Sequence, residues 1–140
     1  MIKKGLSIFC DGGARGNPGP AAVGFVVFQN DKIVHKFSER IGETTNNVAE
    51  YQAVIAALEW LTKPSAVGHL PLTISFYLDS QLVVNQLNGN FKIKNSNLQK
   101  LIVRAKNLER KISRKISYSY VSRRKNKIAD ALVNQALNGL

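Results

Sequence analysis

The order of hydrophobic periodicities constrains the fold of this chain more than any other feature. Three apolar segments of strand type come first, and helix-type and strand-type segments alternate after them, in the order βββαβααβα. The first three segments are "LSIFCD", "AAVGFVVFQN" and "DKIVHKFSERIG". The turn pair Asn30-Asp31 joins the last two and predicts an antiparallel hairpin. This order is typical of an α/β layer fold with a mixed sheet.

The rest of the chain supplies the predicted helices and two further strands. The helices are "TTNNVAEYQAVIAALEWLTK", "SQLVVNQLN", "SNLQKLIVRAKNLERK" and "NKIADALVNQALNGL", and the strands are "LTISFYLD" and "KISYSYVS". Because "LTISFYLD" is nearly all apolar, we expect this strand to be buried on both faces. Ser80 and Asn126 are in N-cap positions for their helices.

The charge of the chain is strongly basic and unevenly distributed. Lys and Arg number 20 against 9 acids, and 13 of the basic residues lie between Lys92 and Lys127 with Glu109 as the one acid. Such a distribution favours a polyanion, with nucleic acid ahead of an anionic membrane surface. The chain has no apolar run of membrane-spanning length, and its one cysteine, Cys10, cannot form an internal disulfide. We therefore expect a cytoplasmic protein with no membrane partner.

Four of the nine acids lie where strands end or helices begin. Asp11 and Asp79 end predicted strands, and Glu50 and Asp130 lie in the first turns of predicted helices. If the two strands are parallel neighbours, all four carboxylates converge at one edge of the sheet. Clustered carboxylates suit Mg²⁺ or Mn²⁺, and such a site can hold two ions for phosphodiester chemistry.

Each acid also has a structural interpretation. Asn47-x-x-Glu50 has the form of a capping box, and Asp79 and Asp130 would each stabilise the positive end of a helix. Asp11 could brace a turn in the following segment, "GGARGNPGP". That segment lacks the spacing of a phosphate-binding loop and leads into a strand, so we interpret it as a glycine-rich hairpin that lets a bulky ligand approach the backbone.

Four segments of the chain strongly resemble the type 1 ribonucleases H. They are "DGGARGNPGPAAVGFVV", "TTNNVAEYQAVIAALEWL", "DSQLVVNQLNG" and "VSRRKNKIADALVNQAL". The resemblance implies one ribonuclease H-like domain over residues 1–140, with a five-stranded mixed sheet in the order 3-2-1-4-5 flanked by helices. It also implies an endonuclease that hydrolyses the RNA strand of RNA–DNA hybrids with Mg²⁺. The clustered carboxylates predict two ions per site, with Mn²⁺ as an alternative metal, and a reaction that leaves 5′-phosphate and 3′-hydroxyl ends.

The resemblance also assigns site residues. The catalytic and metal-binding acids of the family fall on Asp11, Glu50, Asp79 and Asp130. The positions expected to contact substrate are Gly12, Gly13, Asn17, Thr45, Asn47, Ser80, Gln81 and Arg123. We expect a monomer whose partner is an RNA–DNA hybrid.

The chain departs from the common family pattern in two places. Many members carry a histidine before the last catalytic acid, whereas the loop "SRRKNKI" has none. Arg123 is either its replacement or a solvated arginine of the loop. Many members also insert a basic protrusion, for which "GNFKIKNS" is too short. The compact subgroup ending in V-x-R-x-x-N-x-x-A-D matches "VSRRKNKIAD". A binding module without catalysis and another metal nuclease of the same fold stay open as alternatives.

Overall fold

The computed structural model describes residues 5–63, 70–90 and 92–139. Five strands form a single sheet in the spatial order β3-β2-β1-β4-β5. The first three strands pair antiparallel, whereas β4 pairs parallel with both β1 and β5. The strands are β1 (Leu6–Ala14), β2 (Gly19–Gln29), β3 (Lys32–Thr44), β4 (Thr73–Leu78) and β5 (Lys115–Tyr120). The predicted mixed sheet and its strand order are confirmed.

Helices cover the two faces of the sheet unequally. They are α1 (Asn46–Leu61), α2 (Gln81–Leu87), α3 (Ser96–Ile112) and α4 (Lys127–Leu137), with a 3₁₀ turn at Arg123–Lys125 before α4. The main core lies on the face that α1 packs against, and α3 packs on α1. A smaller cluster joins Ala22 of β2 to Val133 and Ala136 of α4 on the opposite face. Among the described helices, none has the length and apolar content that crossing a bilayer requires.

Strand β4 is buried on one face only, which corrects the prediction of burial on both. Its residues alternate between buried and more exposed positions, with Ser75 and Tyr77 half-buried. The physical reason is the position of α4, which packs on β1, β2 and β3. The second face of β4 is therefore left partly open.

The turn at Asn30-Asp31 is confirmed as a two-residue hairpin loop. Both residues have positive φ, 54° and 64°, and the flanking Gln29 and Lys32 are paired. Two successive positive φ angles match the twist of the flanking strands, and Asn and Asp tolerate them better than other side chains do.

Strand β1 continues past Asp11, which corrects the predicted strand end. Residues 11–14 still pair with β2, and only the pairing with β4 stops earlier, at Phe9 opposite Tyr77. A Cβ placed on Gly12 would lie 2.1 Å from the carbonyl oxygen of Ala49 in α1. Gly12 therefore lies in a strand rather than in the predicted hairpin loop, and it permits close packing of a helix on that strand.

The helix starts differ from the predicted caps in two cases. Thr45 is the N-cap of α1 and accepts from the Val48 amide at 3.3 Å, so the capping box of Asn47 and Glu50 is wrong because the helix begins one residue before Asn47. Ser80 caps α2 as predicted, by accepting from the Val83 amide. Asn126 occupies the N-cap position of α4 but makes no side-chain cap bond.

Candidate active site

Three buried or half-buried carboxylates meet at the carboxyl edge of the parallel strands. The last residues that pair between β1 and β4 are Phe9 and Tyr77. Asp11 and Asp79 each lie two positions further along their chains, so the register places them side by side. Glu50 reaches them from the start of α1, which approaches closely across Gly12. One carboxylate oxygen of each acid lies within 4.8 Å of the other two.

The fourth predicted acid lies in the same cavity. Asp130, in the first turn of α4, lines a cavity of about 490 Å³ together with Asp11, Glu50 and Asp79. It is not one of the three acids whose oxygens lie within 4.8 Å of each other. Its charge nevertheless acts on Asp11, as the electrostatics of that carboxyl group show.

The cluster disfavours its own ionisation when no cation is bound. Burial, with the negative charges of Asp79 and Asp130, raises the pKa of Asp11 to about 7. Burial and then the charge of Asp11 raise the pKa of Glu50 well above its usual value. Both residues are only 7% exposed, so water screens their repulsion poorly.

The donor set fits a hard divalent cation. Glu50 Oε1 accepts from the Gly12 amide at 3.3 Å, whereas its buried Oε2 has no hydrogen-bond partner in the described part of the chain. A buried carboxylate oxygen without a partner is costly unless a cation takes that place. Oxygen donors alone suit Mg²⁺ or Mn²⁺ better than zinc or copper.

Asn126 is a site residue whose role the sequence analysis missed. Its buried side chain donates from Nδ2 to the Cys10 carbonyl at 2.9 Å and to Asp79 Oδ2 at 3.3 Å. The backbone carbonyl of Asn126 accepts from the Asp130 amide at 3.1 Å. One residue thus connects β1, the end of β4 and the start of α4. Its spacing of four residues before Asp130 was the available signal, which a helix cap also explains.

A second set of hydrogen bonds fixes the glycine-rich segment to α1. Asn46 Oδ1 accepts from the Ala14 amide at 2.9 Å, and Asn17 Oδ1 accepts from the Asn46 amide at 2.9 Å. These bonds hold the start of α1, and therefore Glu50, in position against β1. Asn46 was not among the predicted site residues.

The predicted substrate-contacting residues divide into two groups. Those that line the acidic cavity are Gly12, Gly13, Asn47, Ser80 and Arg123. Those that lie outside its lining are Asn17, Thr45 and Gln81. The side chains of Asn17 and Thr45 make structural hydrogen bonds at the start of α1, while Gln81 is exposed at the start of α2. Their contact with substrate stays a prediction.

The chain matches known proteins over nearly its whole length. Residues 9–136 match a family described as reverse transcriptase-like. The sequence is 43% identical over 131 residues to ribonuclease HI of Halobacterium salinarum, covering 93% of this chain and 63% of that protein. It is 42% identical over 133 residues to a bifunctional protein of Mycobacterium tuberculosis, covering 94% of this chain and 35% of that protein. The chain thus spans about a third of the mycobacterial relative.

A solved structure has the same fold and nearly the same size. It is LC11-RNase H1 in complex with an RNA/DNA hybrid, with a TM-score of 0.91 and 37% sequence identity. The match covers 96% of this chain and 97% of that one. An alignment of this completeness, at this identity, relates the two proteins by descent as well as by architecture.

Proposed function

Because the chain belongs to the type 1 ribonuclease H family, we propose that it is an endonuclease that hydrolyses the RNA strand of RNA–DNA hybrids. The observation that carries the proposal is the cluster of Asp11, Glu50 and Asp79, whose oxygens lie within 4.8 Å of each other at the carboxyl edge of the sheet. A capping role does not explain Glu50 or Asp79, because Thr45 and Ser80 cap the adjacent helices.

We propose that the acids hold divalent metal, Mg²⁺ with Mn²⁺ as an alternative, in two ions per site. When bound, the metal supplies an activated water and stabilises the departing 3′ oxygen, so the products carry 5′-phosphate and 3′-hydroxyl ends. The residues that would hold it are Asp11, Glu50, Asp79 and Asp130. The free Oε2 of Glu50 and the raised pKa of Asp11 support this assignment.

The other residues of the site position these acids and the substrate. Asn126 donates to Asp79 and restricts the orientation of its carboxylate. Arg123, exposed in the 3₁₀ turn, lines the acidic cavity and is our candidate for contacting the scissile region in place of a histidine. A guanidinium binds phosphate oxygens well but stays protonated, so Arg123 would contribute charge and orientation rather than proton transfer.

Selection of RNA requires contacts to the 2′-hydroxyl group. Asn47 and Ser80 both line the acidic cavity, Asn47 from α1 and Ser80 from the position before α2. Both side chains combine donor and acceptor capacity, which matches a hydroxyl group. We propose that Asn47 and Ser80 contact the RNA strand next to the acids, and that Gln81 and Asn17 contact it further away.

We also propose that the exposed cations of α3 hold the polymer. Lys100, Arg104 and Lys111 form one stripe together with Asn107. The stripe is not purely cationic, because Arg104 Nη2 pairs with Glu59 Oε2 of α1 at 2.6 Å.

We propose that the protein acts in the reducing cytoplasm and that it does so as a monomer. Its one cysteine is buried as a free thiol, which agrees with that compartment.

A cleavage assay tests the proposal directly. RNA–DNA hybrid, duplex RNA and duplex DNA are each incubated with the protein, with Mg²⁺ and with a chelator, and products are resolved on a gel. We expect cleavage of the RNA strand of the hybrid only when metal is present. Binding of hybrid without cleavage would favour a non-catalytic module, and cleavage of duplex DNA would favour a different nuclease of this fold.

A further inference from the structure

A second cavity, lined by aromatic and aliphatic side chains, lies on the partly open face of the sheet. It measures about 250 Å³, and Phe9, Val26, Phe28 and Ile128 form its apolar lining, with Asn126 beside them. Phe9 stacks on Tyr77 with ring centroids 4.8 Å apart and meets Phe28 edge-on at 5.7 Å. We call this site the aromatic cavity. It lies between strands β1 and β2 and the start of α4, whose Lys127 and Ile128 form part of its lining.

The rim of the aromatic cavity is cationic. Arg124, Lys125 and Lys127 line it and are exposed, and none of the described residues that line it is acidic. An apolar floor with a cationic rim is complementary to a group that is flat and apolar but carries negative charge beside it. A nucleotide has this chemistry, because its base stacks on aromatic rings while its phosphate pairs with Lys or Arg.

A buried polar atom supplies a further observation. Asn126 is 1% exposed, and its Oδ1 has no hydrogen-bond partner among residues 5–63, 70–90 and 92–139. Both hydrogen bonds of its Nδ2 are already made, to Cys10 and Asp79. The unpaired Oδ1 is itself covered by protein atoms, so the aromatic rings and the cationic rim, and not this acceptor, would make the contacts to a ligand.

The aromatic cavity adjoins the acidic cavity at the 3₁₀ turn. Consecutive residues of the 3₁₀ turn face the two sites, with Arg123 lining the acidic cavity and Arg124 lining the aromatic cavity. Asn126 lines the aromatic cavity and holds Asp79 of the acidic one. A nucleic-acid strand that leaves the acidic cavity around this turn would meet the aromatic cavity within a few nucleotides.

We propose that the aromatic cavity binds an unpaired base of a single-stranded extension that flanks the hybrid. The proposal rests on the proposed function for the position of the hybrid, but the binding itself needs no cleavage. It adds to the enzyme a preference for junctions between hybrid and single strand. A peptide that carries acidic and aromatic residues is the competing occupant, and the experiment below includes it.

The test compares binding of three nucleic acids in a chelator, so that nothing is cleaved. The first is a blunt RNA–DNA hybrid. The second is the same hybrid with a short single-stranded adenine extension at each end of its DNA strand. The third carries extensions of the same length made of abasic sites. The abasic extension has the same charge and no bases. We expect the adenine extension to tighten binding by about fivefold or more and the abasic one to do much less.

Paired variants separate the cavity from general charge. Arg124→Ala with Lys127→Ala removes two cations from the rim, and Ile128→Ala removes an apolar contact; all three side chains are exposed, so the fold should persist. Arg40→Ala with Lys115→Ala removes two exposed cations that do not line the cavity. The ratio of the affinity for adenine-extended hybrid to that for blunt hybrid should fall towards one in the rim and Ile128 variants, and it should keep its wild-type value in the control variant.

Several outcomes would overturn the proposal. They are equal binding of blunt and extended hybrids by the wild type, equal gains from adenine and abasic extensions, and equal losses in the rim and control variants. Binding of an acidic peptide containing phenylalanine that is lost in the rim variant, with the adenine gain unchanged, would assign the cavity to a protein partner instead. Cleavage of blunt hybrid in Mg²⁺ is measured in parallel, so failure of the proposed function is seen separately.

Discussion

The acidic cavity and helix α3 both concentrate charge of one sign, but the protein holds that charge in opposite ways. Asp11 and Glu50 are 7% exposed and held by backbone packing, so their charges interact strongly and cannot move apart. On α3 the side chain of Arg104 is 55% exposed, and Lys100 and Lys111 extend into water. Solvent and salt screen charges of the second kind.

The contrast implies different responses to substitution. In the cavity the electrostatic repulsion is stored in the folded protein, because close packing leaves the carboxylates no alternative position. Replacing a single oxygen atom of one carboxylate there should change both the stability of the fold and the rate of cleavage. On α3 the cations act additively at long range, so each one should matter little.

The largest expected effect is that of Asp11→Asn. Asparagine keeps the shape of the side chain and removes a charge that is repelled by its neighbours, so cleavage should be abolished while the metal-free protein becomes more stable, by about 1 kcal/mol. Thermal melts in a chelator and in Mg²⁺, beside the hybrid-cleavage assay, measure both. Mg²⁺ should raise the melting temperature of the wild type more than that of the variant.

Asp31→Asn is the matched control for this prediction. Asp31 is an exposed turn residue with a φ of 64°, a conformation that asparagine tolerates. Its replacement should change neither cleavage nor the response to Mg²⁺. If Asp11→Asn lowered stability and left cleavage intact, Asp11 would have a structural role and the metal-site interpretation would be wrong.

Gly12→Ala should have the next largest effect, through packing rather than charge. The new Cβ would lie 2.1 Å from the Ala49 carbonyl oxygen and 2.5 Å from the Glu50 nitrogen, both backbone atoms that cannot move without α1. We expect a loss of stability of about 1–3 kcal/mol and a lower rate of cleavage, because Glu50 moves with the helix. Chemical denaturation and the cleavage assay measure the two effects.

Gly13→Ala controls for the change of residue type. Its Cβ would meet nothing closer than the Val133 side chain at 3.6 Å, which is ordinary contact. Its stability should therefore stay within about 0.5 kcal/mol of the wild type. Equal destabilisation by the two substitutions would mean that the approach of α1 to β1 is not what requires glycine at position 12.

The pH dependence of stability should show the same repulsion at a smaller scale. The pKa of Asp11 is raised from 3.8 to about 7 in the folded protein, so the folded state holds a proton that the unfolded state releases. Asp11 therefore favours folding at low pH, and this contribution is lost as the pH rises from about 4 to about 7. The melting temperature in a chelator should fall over this range more steeply for wild type than for Asp11→Asn.

The comparison with Asp11→Asn reports on Asp11 and Glu50 together, because the charge of Asp11 also raises the pKa of Glu50. Burial lowers the pKa of His35, which acts in the opposite direction, but His35 is present in both proteins and cancels in the difference. Protons and metal compete for the same carboxylates, so the stabilisation by Mg²⁺ should increase with pH. Parallel pH profiles for the two proteins would mean that Asp11 is not the group responsible.

Local patterns in the sequence predicted the order of helices and strands and the convergence of acids at one sheet edge, whereas the order of the strands within the sheet came from the resemblance to the type 1 ribonucleases H. Hydrophobic periodicity marks strands and helices, and rare acids at the ends of elements are conspicuous in a chain with 20 basic residues. Features that depend on how elements approach each other were missed. Gly12 was assigned to a loop because its role is defined by Ala49, 37 positions along the chain.

The role of Asn126 was missed for the same reason. Its position fits an N-cap, but its partners, Cys10 and Asp79, belong to two distant strands. The open face of β4 was also not predicted, because only the placement of α4 reveals it. The sequence pattern shows which residues of a strand are apolar, but it does not show which face of that strand is left without a helix packed on it.

The smallest expected effect belongs to the exposed cations of α3. Replacing Lys100, Arg104 and Lys111 together with alanine should weaken hybrid binding without changing the cleavage of bound substrate, because these side chains lie on α3 and none of them lines the acidic cavity. The slope of log K against log salt should flatten by up to about 0.9 for each phosphate that the protein no longer neutralises. Arg104 already pairs with Glu59, so its share should be smaller than that of either lysine.

The control removes the same charge from another surface. Lys32→Ala, Lys36→Ala and Arg40→Ala take three exposed cations from β3, so the net charge falls equally in both triple variants. Binding titrations over a range of salt then separate position from total charge. If the two triple variants show the same slope, the attraction comes from the field of the whole molecule and α3 is not the contact surface. A flatter slope for the α3 variant alone, with single-turnover cleavage unchanged, would establish that the two regions act independently, one holding the polymer and the other cutting it.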